Sequence, residues 1–246
     1  MKILVCVSKT PDTTAKISFK DGNSTFDGAG VQFIMNPYDE WYALVRAIDL
    51  AKATGGTVTL INVGDGESDQ IIRKGLALDA NDAVRINAQP SSSFFVAKQI
   101  ADYAKAQNFD VIFTGKETID HNGSEVGAMI AELLDLPFVS YASKLDFSGN
   151  LAVIERDIEG GIEVVEVETP FVMSAAKGLA EQRIPNMMGI MKAKSKPLAI
   201  LEPTAVVENV KVEAFEMPKQ KAGVRYIDPS DMDTLVRLLH EEAKVI

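Results

Sequence analysis

The chain carries one cysteine (Cys6), two histidines (His121 and His240) and a single tryptophan among 246 residues. One cysteine excludes an internal disulfide, and two histidines with one thiol are too few for a zinc cluster, so no metal site is expected. Long apolar runs are also missing. The N-terminal run Ile3–Val7 spans five residues, short of a signal-peptide core, and nothing later nears the roughly 18 apolar residues of a membrane span. No stable membrane insertion and a cytoplasmic or matrix-like location are expected. Basic residues are in deficit: 25 Lys and Arg against 35 Asp and Glu, for a net charge of −10. Nucleic-acid and membrane-surface partners select positive fields, and this balance argues against both.

What remains is an ordinary globular composition, 46% hydrophobic and 24% charged, long enough for one large domain or a domain with an extension. Ile3–Val7 is a β-branched and aliphatic run of the kind buried on both faces of a parallel sheet. Asn36-Pro37-Tyr38-Asp39-Glu40 reads as a helix start, with Asn36 as cap, Pro37 at the first helical position and acids at the positive end of the dipole. Trp41, Leu44, Val45 and Ile48 share one face of that helix, and Gly55-Gly56 stops it. Strands at 57–63, 83–86 and 110–114 then alternate with helices at 69–78, 93–107 and 126–134. The alternation predicts an α/β fold, a doubly wound, mostly parallel, Rossmann-like sheet.

The pattern changes after residue 135. Runs 151–158 and 162–167, joined by Glu159-Gly160-Gly161, read as a β-hairpin. From Lys192 the chain is spaced by Pro197, Pro203, Pro218 and Pro229 and ends in a helix over 231–243 capped by Ser230. Residues 1–191 are therefore read as one α/β domain and 192–246 as an arm. A partner subunit or the chain's own domain is the surface this arm covers.

Residues that carry covalent chemistry are scarce. Cys6 lies within the first buried strand, His240 in an acidic helix, and His121 has no paired nucleophile. There is no dinucleotide glycine fingerprint and no P-loop. The loop from Gly115 to Ala128 is different: it leaves a buried strand and enters a helix, where open α/β sheets bind ligands and helix N–H groups favour phosphate. Asn122, Gly123 and Ser124 are small and polar there, and the helix start at Asn36–Asp39 can close the same crevice. Two capped helices without a ligand are the alternative. Arg183-Ile184-Pro185-Asn186-Met187-Met188-Gly189-Ile190-Met191 reads as a poor helix and a soft apolar patch. Methionines of this kind serve either adaptable recognition or gap filling.

At these residues the sequence resembles the beta subunit of electron transfer flavoproteins over nearly its whole length. The resemblance rests on Ile154-Glu155-Arg156-Asp157-Ile158-Glu159-Gly160-Gly161-Ile162-Glu163-Val164-Val165 continuing into Pro170-Phe171-Val172-Met173-Ser174. The Asn36-Pro37-Tyr38 helix start, the Gly115-Lys116…Ile119-Asp120 loop and the Gly189-Ile190-Met191-Lys192-Ala193-Lys194 segment follow in family order. It implies an electron-carrier subunit without catalytic residues, which binds AMP and supports an FAD held mainly by the alpha subunit. Its implied partners are that alpha subunit, acyl-CoA or other flavin dehydrogenases in fatty acid oxidation, and an electron-accepting quinone oxidoreductase of the respiratory chain.

Carried over by position, the resemblance implies nucleotide contacts at Cys6, Asn36, Pro37, Tyr38, Asp39 and Val63. It also implies them along Asp120-His121-Asn122-Gly123-Ser124-Glu125-Val126-Gly127-Ala128-Met129-Ile130-Ala131. Tyr38 matches a position approaching the flavin. Met187 stands where the family inserts a leucine into a dehydrogenase pocket, and Asp157 where an acid meets the alpha subunit. Val126 before Gly127 also suits bifurcating members, which hold a second flavin in place of AMP. A stand-alone nucleotide-binding module is the third reading.

Overall fold

The computed structural model describes residues 1–221 and 223–246. In chain order the elements are β1 (Lys2–Cys6), β2 (Lys9–Pro11), β3 (Phe19–Lys20), β4 (Thr25–Phe26), β5 (Phe33–Met35), α1 (Asp39–Thr54), β6 (Thr57–Gly64), α2 (Ser68–Ala77), β7 (Asp82–Asn87), α3 (Ser93–Lys105) and β8 (Val111–Gly115). There follow α4 (Val126–Leu134), β9 (Phe138–Ser148), β10 (Leu151–Ile158), β11 (Gly161–Glu168), β12 (Phe171–Ala175), α5 (Met187–Ala193), β13 (Leu198–Leu201) and α6 (Met232–Arg237), the last running into a π-helical turn at Leu238–Glu242.

Nine strands form one sheet in the order β11-β10-β9-β12-β8-β1-β6-β7-β13. It is parallel from β13 across to β9 and antiparallel through the β9-β10-β11 meander. This is the doubly wound α/β architecture that the strand–helix alternation predicts. β1 shows why its sequence is apolar throughout. Ile3, Val5 and Val7 face the core beneath α1 and α2, while Leu4 and Cys6 face the core beneath α3 and α4. A strand with helices on both faces has no polar side to spare.

α1 buries Leu44, Val45 and Ile48, as their spacing predicts, and ends at Gly55, whose left-handed φ of 65° lets its N–H close on Ala51. The hairpin turns at Gly160, φ 84°, with Ile158 paired to Gly161.

Five local expectations need correction. Asn36 is not the cap of α1: that helix begins at Asp39 behind Tyr38, and Pro37 precedes its first turn. The terminal helix is capped by Asp231, which accepts from the N–H of Thr234, and not by Ser230. β9 stands where no strand is expected; irregularities in its pairing with β10 and β12 break the two-residue alternation, and Val139, Ala142 and Leu145, three apart, hold the buried side. The methionine segment is helical, because Asn186 caps it by accepting from the N–H of Gly189. The segment after Lys192 first adds β13 to its own sheet beside β7.

Beyond β13 the chain is held by Gln99, which bonds the carbonyl and N–H of Thr204, and by Phe215, whose ring stacks on Phe19 at 4.7 Å. Most of its apolar side chains face solvent, among them Val207, Val210, Val224 and Tyr226.

Candidate functional site

The order of the sheet locates the site. From β1 the chain winds outward through β6 and β7, then returns to lay β8 on the other side of β1. The connections leaving β1 and β8 therefore diverge, and a crevice opens beyond their carboxyl ends. Asn36, at the end of the segment after β1, spans that crevice. Its N–H donates to the carbonyl of Ser8 at 3.0 Å, its Nδ2 donates to the carbonyl of Glu117 at 2.9 Å, and its Oδ1 accepts from the N–H of Ile119 at 3.0 Å. Fully buried, Asn36 serves as the staple between the β1 and β8 connections.

Around this staple lies a cleft of about 440 Å³ lined by Pro37, Tyr38, Asp39, Tyr42, Lys116, Glu117, Ile119, Asn122 and Lys177. Tyr38 is exposed and sits at φ 64°, an uncommon backbone for an aromatic residue, which turns its ring outward at the start of α1. Lys116 and Lys177 stand just past the ends of the neighbouring parallel strands β8 and β12, and the N–H of Lys116 donates to the carbonyl of Ala175. Lys116 pairs with Glu117 at 2.8 Å, which holds the Glu117 carboxyl below its usual range. Asp39 is pushed up, chiefly by burial.

Beneath the cleft Glu40 is buried, its carboxylate accepting from the N–H and the hydroxyl of Ser8, both at 2.7 Å. Burial pushes its pKa up to about 8 against the lowering effect of Ser8. Gly115 is required beside it, since a Cβ there would come within 2.7 Å of the Glu40 side chain. Burial, with Glu40 nearby, pushes the Cys6 thiol far above its ordinary range, so it is an inert packing group.

The expected site residues divide into three groups. Pro37, Tyr38, Asp39 and Asn122 line the cleft. Asp120, His121, Gly123, Ser124 and Glu125 form an exposed rim. Asn122 and Ser124 have left-handed φ values of 49° and 53°, and Ser124 Oγ donates to Glu117 at 3.2 Å. The start of α4 behind that rim has no side-chain cap, which leaves its first N–H groups available to an anion.

The third group lies deeper. Cys6, Asn36 and Val63 are buried at strand ends and crossover, and Ile130 and Ala131 pack in the core under α4. Gly127 is needed for packing: a Cβ would come 2.8 Å from Thr114 Oγ1 and 2.9 Å from the Phe138 ring. Val126 and Met129 are half-buried against the same core, and Ala128 is exposed. Ser8, Glu40, Tyr42 and Lys177 are the site residues that sequence reasoning missed, and Lys116 was read only as part of the Gly115–Ala128 loop. The signal available for the two lysines was their shared place immediately after adjacent strands.

Residues 24–206 match the family model described as "Electron transfer flavoprotein domain". The chain belongs to the electron transfer flavoprotein family, in its beta-subunit branch. It is 37% identical to "Electron transfer flavoprotein subunit beta" of Bacillus subtilis (strain 168), with both chains covered in full. It is 34% identical to the protein of that name in Syntrophomonas wolfei, covering 94% of this chain and 92% of the relative. It is also 34% identical to "Acryloyl-CoA reductase electron transfer subunit gamma" of Anaerotignum propionicum, over 87% of this chain and 82% of that one. Among the described residues no cluster of side chains suits a metal ion, and no helix is long and apolar enough to cross a membrane.

Proposed function

We propose that this electron transfer flavoprotein chain is the AMP-holding beta subunit of a heterodimeric electron carrier. The observation that carries the reading is the convergence of Asn36–Asp39, Lys116–Ile119 and Asn122 on one cleft at the switch point of the sheet. Two lysines and an uncapped helix start fit an anionic nucleotide, and Tyr38 and Tyr42 offer aromatic surface to a planar group. The subunit binds and orients; it supplies no nucleophile or proton-transfer pair. FAD, shared with the alpha subunit and held mainly there, supplies the one-electron chemistry.

The uncovered apolar side chains after Leu201, together with Asp157, Ile158, Ile162 and Val164 on the exposed hairpin, form the surface for the alpha subunit. A stand-alone module has no use for them. Met187, 75% exposed, is the anchor offered to acyl-CoA or other flavin dehydrogenases. Electrons then pass to a quinone oxidoreductase.

Co-expression with the alpha subunit tests this reading. A heterodimer whose flavin absorbance bleaches on addition of an acyl-CoA dehydrogenase and its substrate supports the carrier. A chain that purifies alone and flavin-free beside an unbound alpha subunit overturns it.

A further inference from the structure

Helix α5 is seven residues long, too short to persist in water on its own hydrogen bonds. Its side chains do not hold it down either: Met187 is 75% exposed, Met188, Ile190 and Met191 are exposed too, as is Ile184 just before the helix, and Ala193 is its one buried residue.

Its backbone is captured instead. At the entrance Trp41 Nε1 donates to the carbonyl of Arg183 at 2.9 Å, and the Arg183 guanidinium makes two bonds to the Asp49 carboxylate at 2.7 and 2.5 Å. Trp41 and Asp49 both stand on α1, so the entrance is fixed to a rigid element. In the middle, Gly189 lies so close to the end of α2 that a Cβ would come 2.3 Å from the Ala77 carbonyl oxygen. At the exit Arg73 Nη1 donates to the carbonyls of Ala193 and Lys196 at 2.7 and 2.6 Å.

We propose that Asp49–Arg183 and Arg73 are positioning residues for partner docking, holding α5 in one orientation with its methionines outward. The inference rests on the reading of Met187 as a docking anchor. Ordering a loose loop at the moment of binding weakens association, and a helix held beforehand avoids that cost. The backbone is fixed while the thioether side chains stay adaptable, which suits one surface to dehydrogenases of differing shape. The Asp49–Arg183 pair is well exposed, with side-chain accessibilities of 34% and 48%. Such a pair adds little to global stability, so an effect on docking is separable from an effect on folding.

The test uses the purified heterodimer with Asp49→Asn, Met187→Ala and the exchanged pair Asp49→Arg/Arg183→Asp. Hydrogen exchange over residues 184–193 is measured beside the KM and kcat for the carrier with an acyl-CoA dehydrogenase. Asp49→Asn is expected to speed exchange in that segment and raise KM about threefold at constant kcat and melting temperature. The exchanged pair is expected to recover most of the KM. A silent Met187→Ala overturns the docking reading, and this inference with it. If Met187→Ala raises KM while Asp49→Asn changes neither exchange nor KM, docking stands and the positioning role is refuted. An Asp49→Asn effect that the exchanged pair fails to relieve also refutes it.

Discussion

Glu40 accepts two hydrogen bonds from Ser8, one from its N–H and one from its hydroxyl, each 2.7 Å long. They join the first turn of α1 to the end of β1 directly beneath the cleft. The carboxyl titrates near 8 in the fold against an ordinary 4.5. A raised acid is protonated more readily in the folded chain than in the unfolded one. Its contribution is therefore complete below about pH 4.5 and lost as pH rises through about 8, at up to roughly 1.4 kcal/mol per pH unit. Asp39, also raised by burial, acts in the same direction. Glu40→Gln keeps the shape of the protonated acid and should flatten the decline between pH 5 and 8. Urea midpoints at four pH values check this; parallel curves for variant and wild type would contradict it.

Asn36→Ala removes the staple between the segments after β1 and β8. Two partly buried backbone groups, the Glu117 carbonyl and the Ile119 N–H, lose their partner, and each such loss costs up to about 1 kcal/mol, since water can reach them in part. The variant should unfold at lower denaturant and carry less nucleotide than wild type. Full nucleotide content at normal stability would show that the loop after β8 is held by something else.

Ser124→Glu puts negative charge on the rim of the uncapped α4 start, where an anion would be repelled. The heterodimer should lose AMP while keeping FAD, read from the mass and absorbance of released ligands. Stoichiometric AMP in this variant would move the phosphate elsewhere. Glu117, which already accepts from Ser124 Oγ, should tighten the repulsion.

Much of this architecture is legible in the sequence, and the exceptions have physical causes. β1 and β8 announce themselves because strands covered on both faces carry continuous apolar runs, Ile3–Cys6 in one and Val111–Phe113 in the other. The hairpin is marked by Gly160-Gly161. β9 hides because its outward positions are Ser, Lys and Asp, and Pro137 just before it suggests a loop. α5 contradicts its own composition: Pro185 lies outside the helix, and Gly189 is there because α2 passes too close for a side chain. Glu40 looks like an ordinary first-turn acid, and only tertiary packing under Gly115 buries it. The lysine cradle arises from strands far apart in sequence, joined by the order β12-β8 in the sheet.

The arm gives a further outcome. Since β13 belongs to the sheet, truncation after Leu201 should leave the domain folded, whereas a cut at Lys192 would also strip Lys196 from its bonds to the Leu76 and Ala80 carbonyls. The chain ending at Leu201 should retain a cooperative melt and lose the heterodimer on gel filtration. An undiminished heterodimer would mean that the arm covers its own domain and that the hairpin alone recruits the alpha subunit.

The central claim is that the cleft at the switch point holds AMP in a carrier whose single flavin is shared with the alpha subunit. Ligands released by denaturing the purified wild-type heterodimer, counted by absorbance and mass, test it most directly. One FAD and one AMP per heterodimer is the predicted result; two flavins and no AMP would contradict it and mark a bifurcating subunit.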